Sequence, residues 1–423
     1  MTTVQGDLLP ATRVIHAPLV DSRGEGLGRV DDLIVRLADG DYPPVTGIKA
    51  NIGGRQLFVP VERLGSVGPG KVQLAGDTLN LARFERRPGE VLLGEDVLGR
   101  RLIDVSAGRL VHAHDVELAC VDGWWRLVGV DPSRRGVFAR LFSGGAAEGP
   151  HRARVIDWSD VEPFVGHVPS ARLLLPLRRL RRLHPAQIAD IVEGASHDEG
   201  EEILTAVEAD PELEADVFEE LDTHHQIEFL DSKPDEEAAE ILGEMDPDAA
   251  ADLLTELDQD RRRPILELLP AEQQRKVLSL LAYNPTTAGG MMTPDFVSVP
   301  VDATVAAGLE QVRNAVDLPW QTASMVFLTD ADGRLAGSIP LVDLVRADQN
   351  GAIRAVLDEP LAVHLNADDD LADVALTMAD YNLTAAPVID GEGHVVGVVT
   401  ADDLIQAMVP KDWRRRQVAE SED

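Results

Sequence analysis

Pairs of large apolar residues recur every twelve residues in the middle of the chain. The pairs are Val217-Phe218, Phe229-Leu230, Ile241-Leu242, Leu253-Leu254, Ile265-Leu266 and Val277-Leu278. Prolines or aspartates stand between most successive pairs, and both residue types favour the start of a helix. Each unit therefore predicts a helix of about two turns followed by a corner. Because one such helix cannot bury its apolar face alone, the repeat predicts a superhelix of stacked short helices.

A second repeat, with an offset of sixty residues, follows the first. Residues 326–339 match residues 386–399, and each copy predicts a strand, an Asp/Gly turn and a second strand. A helix follows each hairpin and contains Asp343 in the first copy and Asp403 in the second. The offset therefore predicts two copies of one small α/β unit.

Residues 10–168 alternate apolar and polar residues between turn signals, which is typical of short strands. Three segments of the first half of this region are matched in the second half. The matches are Leu19–Asp21 with Leu102–Asp104, Val45–Ile48 with Leu127–Val130, and Phe58–Leu64 with Val155–Val161. The pattern resembles a PRC-barrel, a small β-barrel, present at 10–85 and again at 90–168. In that family the barrel mostly mediates contacts with other macromolecules; a purely structural pair of barrels is the alternative.

Three segments of the helical region resemble the cytosolic part of MgtE-type magnesium transporters. They are His184–Asp190, Met245–Leu254 and Tyr283–Thr293, and the Ala-Gly-Gly-Met-Met-Thr stretch in the last segment is the most specific. The sixty-residue repeat closely resembles a tandem CBS pair, the usual cytosolic sensor of MgtE proteins. This resemblance implies a superhelical N domain at 183–287 and a CBS pair at 288–409, without the membrane domain.

The whole chain is therefore expected to be modular and of the α+β class. It combines two PRC-type β-barrels, an α-superhelix of short helices and a CBS pair. A basic linker at 169–182 is expected between the barrels and the superhelix. A tail at 410–423 carries the basic stretch Lys411–Arg416, which is either a frayed terminus or a docking point near a membrane.

The formal net charge of −35 argues against nucleic acid or an anionic membrane as the main partner, since both are negatively charged. Residues 184–285 hold 29 Asp or Glu and 6 Lys or Arg, and so carry −23 of that charge. The single cysteine, Cys120, excludes an intramolecular disulfide and fits a reducing cytoplasm. No stretch approaches the roughly 20 apolar residues that span a bilayer, so a soluble cytoplasmic protein is expected. No combination of nucleophile, base and orienting group stands out, which argues against an enzyme.

Asp248 and Asp252 are the strongest metal candidates, because residues at i and i+4 share one face of a helix. Like charges in that arrangement are destabilising unless a cation bridges them. The MgtE resemblance implies that both help to bind regulatory Mg²⁺, and that Asp370 and Asp403 are further acidic ligands in the second CBS copy. Solvated carboxylates near a helix start are the alternative.

This sequence departs from the family pattern at two positions of the second CBS copy. Asn382 and Gln406 stand where carboxylates are typical, and an amide oxygen can coordinate a hard cation but brings no charge. Fewer or weaker metal sites are therefore expected here than in a full-length transporter.

A nucleotide site is the second candidate, because CBS pairs often bind ATP or AMP. The family's ribose-contacting pattern is matched by Thr400 and Asp403 in the second copy, whereas Pro340 replaces the hydroxyl residue in the first. Therefore at most one of the two CBS clefts is expected to bind a nucleotide. A simple helix cap is the alternative, since Thr-x-x-Asp also provides one.

His112, His114 and Asp115 form a weaker metal candidate, because residues at i and i+2 share a strand face. A partly exposed polar face is favoured there instead, since no further ligand follows at suitable spacing.

Together these features predict a soluble Mg²⁺-responsive regulatory protein that controls magnesium or divalent cation transport through a membrane transporter or another protein partner. Two alternatives stay open: an adenine-nucleotide-sensing CBS scaffold, and the cytosolic subunit of a split magnesium transporter. Resemblance to MgtE also implies a homodimer formed through the CBS pair.

Overall fold

The chain divides into two units, Met1–Leu221 and Asp222–Asp423. They are described from a computed structural model, which covers residues 8–37, 40–76, 83–121, 123–133, 155–164, 168, 178–316, 318–357 and 363–409. Most of the predicted basic linker and all of the tail, with Lys411–Arg416, lie outside the described residues. The predicted α+β class is confirmed, because a β-rich region with curled sheets, a run of short helices and a repeated α/β pair follow one another.

The β-rich region of the first unit contains fourteen strands within the described residues. They are β1 Leu9–Pro10, β2 Pro18–Val20, β3 Gly26–Arg36, β4 Val45–Ile52, β5 Arg55–Pro60, β6 Leu64–Gly68, β7 Lys71–Leu74, β8 Glu90–Leu92, β9 Arg101–Asp104, β10 Arg109–His112, β11 Asp115–Val121, β12 Trp124–Asp131, β13 Ile156–Asp157 and β14 Val161–Pro163. One sheet has the order β5-β4-β3-β2-β7-β6, with β8 paired to β3. Two smaller sheets have the orders β1-β11-β12-β13 and β10-β9-β14.

The segments that match between the two halves of the sequence occupy equivalent elements. The hairpin β2-β3 corresponds to β9-β10, β4 to β12, and β5 with its following short turn to β13 with its own turn. One hydrophobic core contains buried residues from both halves, from Leu9 to Val168. The two halves are therefore built alike and share one interior; their assignment as PRC-type barrels stays a prediction.

Each half gives its first strand to a sheet of the other half. β1 pairs antiparallel with β11, placing Leu9 opposite Leu118. β8 pairs antiparallel with β3, placing Val91 opposite Val35. The sequence repeat did not predict this reciprocal exchange, because local alternation of apolar residues does not specify which strands pair.

A buried aspartate fixes each exchanged segment. Asp32 in β3 accepts hydrogen bonds from the backbone N–H groups of Gly94 and Glu95, at 2.7 and 3.0 Å. Asp115, at the start of β11, accepts from the backbone N–H of Thr12 at 3.2 Å and from the Thr12 hydroxyl. Burial raises the pKa of Asp32, although these backbone hydrogen bonds oppose the rise. The two exchanged strands are thus held by equivalent polar contacts.

Eight helices form residues 185–280, all of which the structure describes. They are α1 Pro185–Gly194, α2 His197–Val207, α3 Pro211–Glu220, α4 Thr223–Ser232, α5 Asp235–Glu244, α6 Pro247–Glu256, α7 Gln259–Leu268 and α8 Ala271–Leu280. From α3 onward the helices begin every twelve residues, as the apolar pairs predict. Each of these is ten residues long, nearer three turns than the predicted two, because two residues suffice for each corner.

The first three helices belong to the first unit, where Arg101 of β9 joins the β-rich region to α2. Its guanidinium donates to the Gly194 carbonyl at 2.9 Å and forms an ion pair with Glu199. Burial alone would raise the pKa of Glu199, but hydrogen bonds from Ser196 and Arg101 outweigh it and lower the pKa. The start of the helical run is therefore attached to a strand of the second β half.

In the second unit each helix packs against the second helix after it: α4 with α6, α5 with α7 and α6 with α8. A repeated side-chain bond supports this stacking. Arg261 of α7 donates to the Leu230 and Lys233 carbonyls at the α4–α5 corner, at 2.8 and 2.9 Å. Twelve residues later, Gln273 of α8 donates to the Leu242 and Met245 carbonyls at the α5–α6 corner, at 3.2 and 2.7 Å. Polar side chains thus satisfy the carbonyls that each helix end leaves open.

The remaining elements form the two copies of the sixty-residue repeat. After α9 Ala288–Met291 come β15 Val297–Pro300, α10 Val305–Asn314, α11 Trp320–Ala323, β16 Met325–Thr329, β17 Leu335–Pro340 and α12 Leu341–Arg346. The second copy has β18 Leu365–Asn366, α13 Leu371–Asp380, β19 Ala385–Ile389, β20 Val395–Thr400 and α14 Ala401–Met408. Each three-stranded sheet has one parallel and one antiparallel pair. The hairpin strands of the two copies start sixty residues apart, which confirms the predicted offset.

The two hairpin turns contact each other reciprocally. The Arg334 side chain donates from Nε to the Glu392 carbonyl at 2.9 Å. At the position sixty residues later, His394 Nε2 lies 3.1 Å from the Asp332 carbonyl oxygen. The copies are thus related by an approximate twofold arrangement at their turns, as two equivalent units packed together predict.

Candidate functional site

The Ala-Gly-Gly-Met-Met-Thr stretch, residues 288–293, attaches the helical run to the second repeat copy. The Ala288 N–H donates to the Asp369 carbonyl at 2.8 Å, and the Gly289 N–H donates to the Ala367 carbonyl at 2.9 Å. Thr293 and Val398 exchange two backbone hydrogen bonds, each of 2.9 Å. The stretch that is most specific in sequence is therefore the structural joint between the helices and the second copy.

Two glycines make this joint possible because other atoms approach them closely. A Cβ atom on Gly290 would lie 2.2 Å from the Asn284 carbonyl oxygen and 2.5 Å from Pro285 Cα. A Cβ atom on Gly397 of β20 would lie 2.5 Å from Met292 Sδ. Gly290 meets backbone atoms, which cannot move aside as a flexible side chain can.

An ion pair also crosses the joint. Lys276 of α8 lies 2.8 Å from Asp295 Oδ2, just before β15, and 3.4 Å from Glu272 Oε1. Burial opposes the charge of Lys276, but Asp295 and Glu272 outweigh it and raise the lysine pKa. Burial and then the Asp295 charge raise the pKa of Asp246, and Lys276 lowers it. Lys276 is thus a cation with carboxylates on both sides of the joint.

Asp248 and Asp252 lie on α6, where the four-residue spacing predicts them to share a face. Asp248 is in the first turn of the helix, and Asp252 is exposed. Although Asp252 is exposed as a residue, its carboxyl group is partly shielded from water; this shielding, followed by repulsion from Glu256, raises its pKa to about 6. Since Glu256 is four residues further on, three carboxylates follow one another along this face.

Asp370 is the exposed N-cap of α13. Its carboxylate accepts hydrogen bonds from the backbone N–H groups of Ala372 and Asp373, each at 3.0 Å. This is an ordinary capping geometry that satisfies two otherwise open donors. Metal coordination by Asp370 stays a prediction.

Thr400 and Asp403 form a capping box at the start of α14. The Thr400 hydroxyl and backbone N–H both contact Asp403 Oδ2, at 2.8 and 2.9 Å. The Asp403 N–H in turn donates to the Thr400 hydroxyl at 3.3 Å. Burial is the largest cause that raises the pKa of Asp403, and the Asp246 and Asp402 charges add to it. Thr400 is only 4% exposed, so a ligand would meet Asp403 more easily than the hydroxyl.

The structure brings Asp403 into electrostatic contact with Asp246, a residue that sequence reasoning did not select. Asp246 is the N-cap position of α6, two residues before Asp248, so its place in the repeat was a usable signal. Lys276 and Asp295 were also missed, because their meeting depends on the joint and not on local pattern. Among the described residues, the predicted Asp248, Asp252, Asp370 and Asp403 belong to no group of three acidic, His or Cys residues with ligand atoms within 4.8 Å.

His112 and His114 stack with ring centroids 5.9 Å apart. The neighbouring Asp115 carboxylate accepts hydrogen bonds from Thr12. These three described residues do not bring their ligand atoms within 4.8 Å of one another. The prediction of one shared strand is wrong, because β10 ends at His112 and β11 begins at Asp115. The geometry thus favours a partly exposed polar face, the alternative preferred from sequence.

Within the part of the chain that the structure covers, the helices are too short or too polar to span a bilayer.

Comparison with known proteins identifies the helical region and the α/β pair that follows it. Residues 183–286 match the family model of the MgtE intracellular N domain, and residues 288–350 and 355–410 each match the CBS domain model. The magnesium transporter MgtE of Thermus thermophilus is 37% identical over 126 residues, or 30% of this chain and 28% of that relative. The MgtE of Enterococcus faecalis is also 37% identical, over 129 residues and 28% of its length. The chain thus spans less than a third of the length of either relative.

Two solved structures each match just over half of the chain. The cytosolic domain of the Mg²⁺ channel MgtE in complex with ATP matches with a TM-score of 0.52 and 31% identity, over 55% of this chain and 93% of that chain. The soluble part of a magnesium transporter matches with a TM-score of 0.50 and 30% identity, over 55% of this chain and 90% of that chain. The chain therefore carries an MgtE intracellular N domain followed by a pair of CBS domains, and over this half it has the fold of the cytosolic domain of MgtE.

Proposed function

We propose that this protein is a cytoplasmic Mg²⁺-responsive regulator, in which Mg²⁺ bound between the α-superhelix and the CBS pair controls a cation-transport partner. The observation that carries the proposal is the joint at residues 288–293, which is hydrogen-bonded to the second CBS copy. At this joint the charge of Asp246, on the superhelix, acts on Asp403, on the second CBS copy. Carboxylates from both sides of the joint then repel each other when no cation is present. The relatives named for magnesium transport supply the choice of metal.

The chemistry of the acidic side chains suits weak Mg²⁺ binding. Mg²⁺ prefers six oxygen ligands and keeps several of its waters, so one or two carboxylates from each side are enough. Asp248 and Asp252 of the superhelix and Asp403 of the CBS pair are the proposed protein ligands, with Asp370 at the edge. Because much of the ligand shell stays water, affinity in the millimolar class is expected, as a sensor of millimolar Mg²⁺ requires.

Adenine-nucleotide sensing is the second candidate, favoured by the ATP complex of the similar cytosolic domain. Thr400 and Asp403 would contact a ribose in the second CBS cleft, while Pro340 offers no hydroxyl in the first. The capping box between Thr400 and Asp403 uses the same groups and would have to open in part for such contacts.

Isothermal titration of the full chain with MgCl₂ and separately with ATP tests the two candidates. We expect heat from Mg²⁺ that disappears in the Asp248→Asn, Asp252→Asn variant, because those carboxylates bring the charge that binds the metal. ATP binding that persists in that variant and is lost in Thr400→Ala, together with no specific Mg²⁺ heat, would instead support the nucleotide scaffold.

We further propose that two chains associate through the CBS pair. Val345 on α12 and Ile405 on α14 hold equivalent repeat positions and are 61% and 58% exposed, so the two CBS copies present matching apolar side chains to a partner. Replacing both by Asp is expected to convert a dimer into a monomer in light scattering at micromolar concentration. Val316→Asp is the control, because Val316 is 80% exposed but lies outside both helices. Wild-type protein that is monomeric with and without Mg²⁺ would contradict the proposal.

A further inference from the structure

The Lys276–Asp295 ion pair holds the superhelix to the CBS pair through residues that are not among the predicted metal ligands. Lys276 lies on α8, the last superhelix helix, and Asp295 precedes β15, the first strand of the CBS pair. Their charged atoms are 2.8 Å apart, and each side chain is only about a quarter exposed, at 26% and 24%. A pair in this setting is screened by water less than a surface pair.

The Lys276 ammonium group also interacts with carboxylates other than Asp295. Glu272 lies 3.4 Å away on the same helix, and the Lys276 charge acts on Asp246 at the start of α6. The charge of one lysine therefore acts on three carboxylates at this joint. Removing the ammonium would take away a positive charge that all three carboxylates share.

We infer that Lys276 is a built-in cation that pins the superhelix to the CBS pair when no divalent metal is bound. This inference rests on the proposed function, since it describes how the Mg²⁺ response of the same joint is limited. Repulsion near Asp248, Asp252 and Asp403 then loosens the joint without breaking the Lys276–Asp295 contact. The metal-dependent movement is then a hinge about the Lys276–Asp295 contact and not a full separation.

Small-angle scattering of the full chain in EDTA tests the pin. Lys276→Gln is expected to have a larger radius of gyration than wild type, and Lys276→Arg is expected to match wild type because the charge is retained. Arg275→Gln is the matched control, since it removes one positive charge from the neighbouring position of the same helix. Arg275 donates from Nε to the Ala271 carbonyl of its own helix at 3.3 Å.

Asp295→Asn gives an independent arm, because it removes the same contact and leaves Lys276 in place. It should expand the protein in EDTA as Lys276→Gln does, which keeps the test valid if one variant folds poorly. Circular dichroism checks that the helical content of each variant is unchanged. Radii of gyration for Lys276→Gln and Asp295→Asn equal to those of wild type and Arg275→Gln would overturn the inference.

Adding MgCl₂ separates this inference from the proposed function. If both hold, the decrease in radius of gyration that Mg²⁺ causes is about twofold or more larger for Lys276→Gln than for wild type. The reason is that an added cation replaces the missing charge. If the variants are expanded in EDTA but Mg²⁺ acts no better than NaCl of equal ionic strength, the pin stands and the Mg²⁺ function fails. If wild type responds to Mg²⁺ and the variants behave like wild type, the function stands and the pin fails.

Discussion

Asp248→Asn combined with Asp252→Asn is expected to abolish the Mg²⁺-dependent compaction of the protein while leaving it folded. Asn keeps the shape of each side chain and removes its charge. Two carboxylates about 6 Å apart repel by roughly 2–3 kcal/mol at an effective dielectric constant near 20. The variant therefore loses both the repulsion that opens the joint and the charge that attracts the metal. The measurement is the radius of gyration by small-angle scattering over 0 to about 20 mM MgCl₂, which covers millimolar-class sites.

Glu236→Gln with Glu240→Gln is the matched control. These residues hold the same two positions of the twelve-residue repeat one helix earlier, and both are exposed on α5. The control removes the same charge from the same type of helix face, so its Mg²⁺ response should equal that of wild type. A wild-type radius of gyration that ignores Mg²⁺, or falls equally with NaCl, would show that net-charge screening is the whole effect.

The raised pKa of Asp252 gives this response a pH dependence. Its carboxyl titrates at about 6 in the folded chain, above the ordinary value of 3.8, so the protonated form is favoured by folding. The resulting stability is present below pH 3.8 and is lost as the pH rises through 6. Mg²⁺ needs the ionised form, and protons compete with it. The Mg²⁺-induced increase in melting temperature is therefore expected to be larger at pH 7.5 than at pH 5, and Asp252→Asn should remove that difference.

Gly290→Ala is expected to destabilise the second unit by at least about 2 kcal/mol, a typical cost of overpacking that displaces backbone. The added methyl group would lie 2.2 Å from the Asn284 carbonyl oxygen and 2.5 Å from Pro285 Cα. Since both contacts are with backbone, the chain that joins α8 to the CBS pair must shift. Thermal unfolding followed by circular dichroism should show a melting temperature lower by roughly 4–8 °C.

Gly391→Ala is the control for a change from glycine to alanine in the same unit. No atom lies within 4 Å of a Cβ atom on Gly391, so its melting temperature should stay within about 1–2 °C of wild type. Equal melting temperatures for both variants would mean that the joint relaxes without cost. The packing account of the Ala-Gly-Gly-Met-Met-Thr stretch would then be wrong.

Periodic features of the structure could be predicted from sequence because the local residue pattern of each repeat unit determines its secondary structure. The twelve-residue spacing of pairs such as Val217-Phe218 gave the helix register from α3 to α8, and the sixty-residue offset gave the two hairpins of the CBS pair. Helix length was underestimated, since the corners need fewer residues than expected. The capping role of Thr400 and Asp403 was also foreseen as an alternative, because Thr-x-x-Asp is a local signal.

Contacts between distant segments could not be predicted in this way. Lys276 and Asp295 meet only because the stretch 288–293 folds back onto β18 and β20. Asp246 reaches the neighbourhood of Asp403 for the same reason. Each of these residues looks like an ordinary charged residue of an acidic helix or loop in the sequence. Their roles depend on how the chain runs through the joint at residues 288–293, and the sequence repeats do not predict that course.

The exchange of β1 and β8 means that the β-rich region cannot be divided by cutting the chain between its two sequence repeats. A fragment holding residues 8–76 would lack the strand that completes β3, and a fragment holding residues 83–168 would lack the strand that completes β11. Each would also expose a buried aspartate, Asp32 or Asp115, that has lost the hydrogen bonds it accepts from the other half. The two fragments should fold only when mixed, so this duplicated region is expected to behave as an obligate intramolecular dimer whose halves do not fold separately.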